Sequence, residues 1–396
     1  MFATESLDPR ETPMAYTVNS EAATVLASLV GAERFKNLGL HFSGGWPSDK
    51  NESHYRRGWG KVSTWNGAIL QGPSFYCMNP FYQTPNATMK NQRDWAPLDL
   101  ETLQPDEHPA TTLKPSGPLI GYMRDYTQWS SGPASRRYRV AWRRMAANTG
   151  ERTLIPTIIP PGATHVDSVY SAACDEDRHT VHAAAVLGSL ISDFIIRSSP
   201  KNDIRTASIE RLPCPSVDHP LSGFLALRAL RLNTLTETYA ELWAECWDDS
   251  YALDSWTSDS RTSTRLGLVE RGWSSETPLR RASDRRQAQV EIDALVALML
   301  GVSADQVCMV YRTQFPVLHG YDHDEYTYDA SGRIVPNPVL VAYRKKGDRI
   351  TLEERTHQHP AGATYVYELP FSTYDREYDM RVAYAEFERR LAEGER

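Results

Sequence analysis

Residues Arg137–Pro161 read "RYRVAWRRMAANTGERTLIPTIIPP". The stretch places five arginines and one acid around two apolar runs typical of β-strands, "YRVAW" and "RTLIPTII". Alternation along the first strand puts Arg137 and Arg139 on one face and Tyr138 and Val140 on the other. We therefore expect a sheet that buries its aromatic face and presents guanidinium groups on the opposite one.

The patterns around this stretch predict an α+β fold. Short apolar runs between Gly and Pro turns come before it, and a further strand, "HVDSVYSA", and an alanine-rich helical pattern follow it. The proline-punctuated "RLPCPSVDHP" reads as a linker, because proline blocks helix continuation. We predict a strand-rich, mixed-sheet domain over residues 1–215, a long-helix segment over 216–320 and a strand–helix extension over 321–396.

Helix signals outside the sheet are specific enough to test. The SADQ sequence of residues 303–306 has the pattern of a capping box. The expected elements are an early helix near Ser20–Lys36, one helix over 178–197, a long amphipathic helix from about Leu221 to Trp247, a helix capped by Ser283 and stopped by Gly301, a strand in "PVLVAYRKK", and a final helix from about Arg376.

Composition limits the class of protein. The chain has 396 residues, is 41% hydrophobic and carries a formal charge of −7. It has no apolar run of about 18 residues, so we expect no membrane-spanning helix. The five scattered cysteines form no CxxC pair, which favours a reduced, cytoplasmic protein without structural zinc. The negative charge argues against indiscriminate coating of nucleic acid, but screening over roughly 8–10 Å leaves room for a local basic cleft.

Catalytic motifs are weak. Asn79–Tyr82, "NPFY", resembles the loop with which amino-methyltransferases hold a flipped adenine, but the only GxG, Gly58–Gly60, lies too close to serve as its cofactor turn. We interpret Asn79–Tyr82 as a turn. No nuclease-type acid-x-lysine and no GxSxG occurs, and Asp322–Glu325 is expected to be a solvated acidic turn in a loop. The sequence thus assigns no catalytic and no metal-binding residue.

Arginine is the residue type that points to a ligand. Guanidinium groups bind phosphate in a bidentate way and read guanine edges. Solvated charge or internal salt bridges are the alternative interpretation, and it applies equally to a second basic group at Arg280, Arg281, Arg285 and Arg286. The candidate DNA contacts are Arg136, Arg137, Arg139, Arg143, Arg144 and Arg152, with Lys201 and Asn202 as secondary candidates in the loop after the helix over 178–197.

The order of these segments resembles a known family. "YRVAWRRMAANTGERTLIPTIIPPGATH", then "LGSLISDFIIR" and then "IERLPCP" are similar to the C-terminal half of large adenine-specific DNA methyltransferases, namely type IIG restriction–modification enzymes and the methyltransferases of BREX and DISARM phage defence. "LQGPSFYCMNPFYQTPN" upstream, and "EIDALVALMLGVSADQVCMVYRTQFPVL" and "YDREYDMRVAYAEFERRL" downstream, extend the resemblance from about residue 41 to 391.

The resemblance implies a target-recognition (specificity) domain. The matched region is the part that reads duplex DNA, whereas the FxGxG and NPPY motifs of methyl transfer would lie before residue 1. S-adenosylmethionine would then be bound by a methyltransferase subunit or a missing N-terminal half, and the chain would hold duplex DNA for it. Two alternatives stay open: an adenine methyltransferase active in its own right through Asn79–Tyr82, and an interaction protein that does not bind DNA.

Overall fold

The computed structural model describes residues 19–47, 53–199, 202–258 and 261–394, which form a mixed α+β fold. Its strands are β1 His41–Ser43, β2 Tyr55–Lys61, β3 Ile69–Leu70, β4 Gln83–Pro85, β5 Trp95–Pro97, β6 Ala110–Pro115, β7 Gln128–Trp129, β8 Gly132–Pro133, β9 Arg139–Arg143, β10 Pro156–Ile159, β11 Thr164–His165, β12 Val169–Ala173, β13 Thr327–Tyr328, β14 Thr356–Gln358, β15 Thr364–Val366 and β16 Ser372–Thr373.

Most of the helices follow β12, whereas α1 and α2 lie within the strand-rich half. They are α1 Ser20–Ser28, α2 Leu119–Asp125, α3 Asp177–Leu187, α4 Leu190–Arg197, α5 Thr206–Glu210, α6 Ser222–Asn233, α7 Ala240–Glu245, α8 Ala282–Met299, α9 Ala304–Gln314, α10 Pro316–Asp324, α11 Asn337–Lys346 and α12 Arg376–Glu393.

The opening stretch forms the centre of the main sheet. Four antiparallel strands lie in the order β1-β12-β9-β10, so β9 is paired along both edges. Residues 139–142 of β9 are all buried, because α3 packs against the sheet and Tyr126 and Ala163 contact the Arg139 guanidinium. Trp142 anchors the strand further, since its indole Nε1 donates to Ile204 O at 2.9 Å. The predicted strands are therefore confirmed, but β9 has no solvent-facing side.

The helix predicted over 178–197 is two helices. α3 and α4 meet at Gly188 and Ser189 with a bend of 62°. The Ser189 side chain caps α4 by accepting from Ser192 N at 3.3 Å, and this cap begins a new helix where a continuous one was expected. By length and apolar composition this bent pair could cross a bilayer, although most of it is buried in the core; no single helix in the described ranges is long and apolar enough.

Two further element predictions are wrong. The helix expected up to Trp247 ends at Asn233, and the chain turns before α7; Thr234 O, freed at that end, accepts from Trp273 Nε1 at 2.8 Å. "PVLVAYRKK" forms α11 instead of a strand, because Val339 and Leu340 bury one helical face in a small cluster of their own.

Helix ends were predicted with more success. Ser303 and Gln306 make the reciprocal capping box of α9, and Asp375 caps α12, which begins at Arg376 as predicted. Gly301 follows α8 with a positive φ of 69°. Ser283, however, is not the cap of α8, because the helix already begins at Ala282.

One main hydrophobic core collects side chains from all three predicted segments, from Ala22 in α1 to Phe387 in α12. A second cluster around Trp46, Tyr122 and Tyr126 lies beneath the β2–β6 pair. The boundaries at residues 215 and 320 stay a prediction, and the core is continuous across both. The five cysteines are all buried and free.

The helical part of the core also holds buried charge. Asp293 in α8 is 1% exposed, and its Oδ1 accepts from Leu190 N at 2.7 Å. Its Oδ2 accepts no hydrogen bond from the described residues, and Arg376 Nη1 lies 4.0 Å away. Burial raises the pKa of the Asp293 carboxyl to about 6, against the opposing influence of Arg152 and Arg376.

We compare the free energy of unfolding of Asp293→Asn with that of the wild type at two pH values. The difference between the two proteins is expected to be more favourable to the variant at pH 7.5 than at pH 4, by about 1–3 kcal/mol. A raised native pKa means that this carboxyl favours folding below about pH 4 and loses that contribution as the pH rises through about 6. Asparagine keeps an acceptor for Leu190 N. Urea unfolding at both pH values measures the difference, and Asp218→Asn on the surface is the control. A pH-independent effect of Asp293→Asn would contradict the assignment.

Candidate nucleic-acid interface

The arginines of the opening stretch do not converge on one surface. Arg139 is 0% exposed, and its guanidinium donates to Ala163 O and to the Tyr126 and Ser171 hydroxyls, the latter two at 3.4 Å. Burial lowers the pKa of Arg139. The expectation that Arg139 faces solvent is wrong, because β9 is an internal strand whose polar side chain is satisfied within the fold.

Arg152 is also an internal residue. It is 7% exposed, and its Nε donates to Asp193 at 2.8 Å while Nη2 donates to Gly188 O at 2.6 Å. The same carboxylate accepts from the amides of Thr153 and Leu154. Arg152 therefore fixes the β9–β10 connection to the start of α4, and its donors face the protein instead of a DNA phosphate.

The two arginines that flank β9, Arg137 and Arg144, are half-buried and engaged. Arg137 donates to Asp175 O at 2.7 Å, with the carboxylate of Asp175 3.6 Å away. Arg144 lies 3.2 Å from Asp167 and 3.7 Å from Asp203. Nearby carboxylates thus compensate both of these charges.

Arg143 has an uncharged environment instead. Its guanidinium donates to Phe75 O, and its Cζ lies 5.5 Å from the ring centroid of Tyr76. Burial lowers the pKa of Arg143. The side chain ties β9 to the turn that follows residue 74, so its position is explained by packing as well.

Only the ends of the predicted set face solvent freely. Arg136 is exposed and makes no ion pair with the described residues. Asn202 is exposed, and its backbone O accepts from Ala146 N at 2.8 Å. Lys201 lies outside the described residues. A DNA contact by Arg136 or Asn202 stays a prediction.

The second basic group is internal too. Arg285 donates to Met78 O at 2.8 Å, and Arg286 pairs with Asp379 at 2.7 Å. Arg280 donates to Leu100 O at 2.7 Å, and Arg281 lies 3.4 Å from Glu101. The alternative interpretation, internal hydrogen bonds and salt bridges, is confirmed for these four arginines.

Asn79–Tyr82 forms a tight turn. Asn79 Oδ1 accepts from Phe81 N at 3.0 Å, and backbone bonds link Asn79 to Tyr76 in both directions. Phe81 is 1% exposed, and the Tyr82 ring stacks on Tyr76 with centroids 4.9 Å apart. The asparagine and the aromatic rings are thus occupied locally, in agreement with the turn interpretation.

The predicted acidic loop at Asp322–Glu325 is mostly helical, because α10 continues to Asp324. Asp322 is 4% exposed and accepts from Arg376 at 2.6 Å. Although burial opposes it, Arg376 holds the pKa of this carboxyl below its ordinary value. The solvated-turn interpretation is therefore wrong for Asp322. No cluster of His, Cys, Asp or Glu suited to a metal occurs within the described ranges.

A basic surface that the sequence patterns did not single out lies on the antiparallel pair of β2 and β6, the β2–β6 ribbon. Arg56 is directly opposite Lys114, and Arg57 is opposite Leu113. Arg56, Arg57 and Lys114 are all exposed, and none forms an ion pair within the part of the chain that the structure describes. Like charges directly opposite each other destabilise a strand pair. A ribbon that keeps this arrangement is suited to a polyanion.

The glycines of the ribbon shape one of its faces. A methyl group at Gly58 would lie 3.3 Å from the Lys114 side chain, and one at Gly60 would lie 3.1 Å from its Nζ. Lys114 therefore crosses β2 over the two glycines, on the face that Arg56 also occupies. On the other side, Trp59 Nε1 donates to Pro85 O at 2.8 Å and fixes the ribbon to β4. Because Gly58 and Gly60 have no side chains, the Lys114 side chain can lie across them.

The signal for this surface was present in "YRRGWGK", but it is incomplete without Lys114. The pairing that brings Lys114 opposite Arg56 joins residues far apart in the chain, and no local pattern encodes it.

The chain was compared with models of protein families and with curated proteins, and neither comparison found a match.

Proposed function

We propose that this chain is the DNA-recognition part of an adenine N6 DNA methyltransferase of a restriction–modification or phage-defence system, and that the β2–β6 ribbon contacts the phosphate backbone. The observation that carries the proposal is the exposed pair Arg56 and Lys114 on one face of the ribbon, with Arg57 exposed on the other; none forms an ion pair with the described residues, in a chain with a net charge of −7. Two-stranded ribbons are an established means of entering a DNA groove.

The electrostatic pattern favours selective binding. Phosphate contacts position a protein on a duplex, and affinity falls with salt in proportion to the number of phosphates neutralised. A few exposed cations on one ribbon, with most arginines of the two sequence-predicted basic groups engaged internally, limit that number. The family resemblance supplies the remaining parts of the proposal: a methyltransferase subunit or catalytic half that binds S-adenosylmethionine and flips the adenine, in the cytoplasm.

Arg56→Gln/Lys114→Gln is expected to lower the slope of log affinity against log salt by about 2. Each substitution removes one cation from the ribbon without introducing repulsion. Fluorescence anisotropy with a labelled random duplex, between low and moderate salt, measures the slope. The matched control is Arg344→Gln/Lys345→Gln, which removes two exposed cations from α11 and should leave the slope as in the wild type.

The same preparation separates the alternatives. Salt-dependent duplex binding without methyl transfer from tritiated S-adenosylmethionine supports the recognition part, whereas transfer by this chain alone would assign it the catalytic activity. Absence of duplex binding by the wild type would contradict the proposed function and favour an interaction protein. Equal slopes for the ribbon and α11 variants would reject the ribbon as the contact surface.

A further inference from the structure

Two glycines lie in β2 of the ribbon although the backbone does not require them. Neither Gly58 nor Gly60 has a φ in the left-handed region, so other residues could adopt the same backbone. Glycine also weakens a strand, because it has no side chain to pack and loses more conformational freedom on folding than other residues do. Inside a strand it is typical of places that another group approaches closely. Here the approaching group is the Lys114 side chain.

The Lys114 side chain runs along β2, from the position opposite Arg56 towards residue 60. A methyl group at Gly58 would lie 3.3 Å from Lys114 Cδ, and one at Gly60 would lie 3.2 Å from Cε and 3.1 Å from Nζ. The ammonium therefore lies beside Gly60, four residues along the strand from Arg56, which is a rise of about 13 Å. These distances are shorter than ordinary van der Waals contacts, so larger side chains at both positions would displace the lysine.

The direction of Lys114 decides where free positive charge lies on the ribbon. Lys61, next to Gly60, is paired with Glu107 at 2.5 Å, so its charge is compensated. Lys114 and Arg56 form no ion pair with the described residues, and they are directly opposite each other, where like charges repel. By lying over the glycines, Lys114 carries uncompensated charge away from Arg56 to the Lys61 end of the ribbon.

Building on the proposed function, we propose that Gly58 and Gly60 are positioning residues: they hold Lys114 along the ribbon, so that Arg56 and Lys114 contact two different phosphates of a duplex. Phosphates recur along a DNA strand at about 3.4 Å of helix rise, so two cations spread over a strand rise of about 13 Å reach separate phosphates. Contacts to two phosphates fix the orientation of the ribbon on the duplex, whereas one shared phosphate would leave the ribbon free to pivot.

Duplex binding, measured by fluorescence anisotropy over a range of salt concentrations, tests this role. Gly58→Thr/Gly60→Thr keeps every charge and fills the space under Lys114 with β-branched side chains that suit a strand. It should weaken duplex binding by about threefold to tenfold and lower the slope of log affinity against log salt by about 1, as Lys114→Gln does, because the displaced lysine no longer meets its phosphate. Adding Lys114→Gln to the glycine variant should lower neither value further.

Two further variants control for the substitutions themselves. Gly31→Thr/Gly272→Thr changes two exposed glycines that have open space around the Cβ position and no φ in the left-handed region, and it should bind as the wild type does. Gly60→Ser is a milder change beside the ammonium and should give a smaller effect in the same direction as the double threonine variant. Circular dichroism checks that each variant is folded.

The outcomes separate the positioning role from the function on which it rests. A wild-type slope for Gly58→Thr/Gly60→Thr, together with a reduced slope for Lys114→Gln, overturns the positioning role and leaves the ribbon as the contact surface. A triple variant that binds more weakly than Lys114→Gln also overturns it, because the glycines would then act through the structure of the ribbon. Absence of duplex binding by the wild type contradicts the proposed function and the positioning role together.

Discussion

Replacing Asp193 by alanine is expected to lower the free energy of unfolding by about 3–5 kcal/mol, because it leaves a buried arginine without its carboxylate. Asp193 is 0% exposed, and Arg152 Nε donates to it at 2.8 Å. Arg197, one turn later on α4, lies 3.5 Å from the same carboxylate. Alanine also removes the acceptor of the Thr153 and Leu154 amides. An unsatisfied buried donor costs up to about 3 kcal/mol, so the loss of stability is expected near the upper end of the range.

Urea denaturation of the full chain measures this loss. The matched control is Asp175→Ala: Asp175 also faces an arginine, Arg137, but its side chain is 71% exposed, and exposed pairs contribute about 1 kcal/mol or less. Asp193→Asn should fall between the two, since its amide oxygen still accepts one hydrogen bond. Equal losses for Asp193→Ala and Asp175→Ala would show that burial does not set the strength of the pair.

Asp193 also clarifies the motifs that carry the family resemblance. The "ERT" turn contributes Arg152 and Thr153, and the "LGSLISDFIIR" segment contributes Asp193 and Arg197. These residues meet in one buried cluster that joins the sheet to α4. The motifs are thus explained by the architecture of the fold. Under the proposed function, the DNA contacts are expected on exposed surfaces such as the β2–β6 ribbon.

Local patterns predicted the elements whose signals are local. The apolar runs of β9 and β10, the capping box of α9 and the start of α12 depend on residues within a few positions of each other. The α3–α4 break follows a local serine cap inside a continuous apolar pattern, and the end of α6 at Asn233 is accompanied by a contact with the distant Trp273. The apolar periodicity continues across both helix ends and therefore does not predict them.

The candidate site was harder to predict, because a charged residue in the sequence does not show which groups it contacts in the fold. Arg139 alternates with apolar residues as an exposed strand residue would, but the groups that satisfy it, Tyr126 and Ala163, come from other parts of the chain. Arg56 lies in an equally plain local pattern, and its free, exposed position follows from pairing with the β6 strand. The two arginines are distinguished by tertiary contacts, which the sequence pattern does not contain.

The helical body depends on a second buried charge cluster. Arg228 in α6 is 0% exposed, and its Nε donates to Glu291 of α8 at 2.5 Å while Nη1 donates to Asp254 at 2.7 Å. Its Cζ lies 5.0 Å from the ring centroid of Phe387 in α12. Arg390, also in α12, pairs with the other oxygen of Asp254 at 2.9 Å. One guanidinium thus connects three helices and the loop between them.

Arg228→Met is expected to cost about 3–5 kcal/mol of stability, because it leaves Glu291, which is 0% exposed, without a counter-charge. Arg228→Met/Glu291→Gln should recover about 1–3 kcal/mol of that loss, since glutamine is neutral and keeps an oxygen for Thr257 N. The surface control, Arg178→Met, removes a pair whose side chains are 71% and 59% exposed and should change stability by about 0.5 kcal/mol or less. The free energies of unfolding of the wild type, Arg228→Met, Glu291→Gln and the double variant, measured by denaturant unfolding, give the coupling energy. A double variant no more stable than Arg228→Met would mean that the arginine stabilises the helices through packing on Phe387 and not through charge.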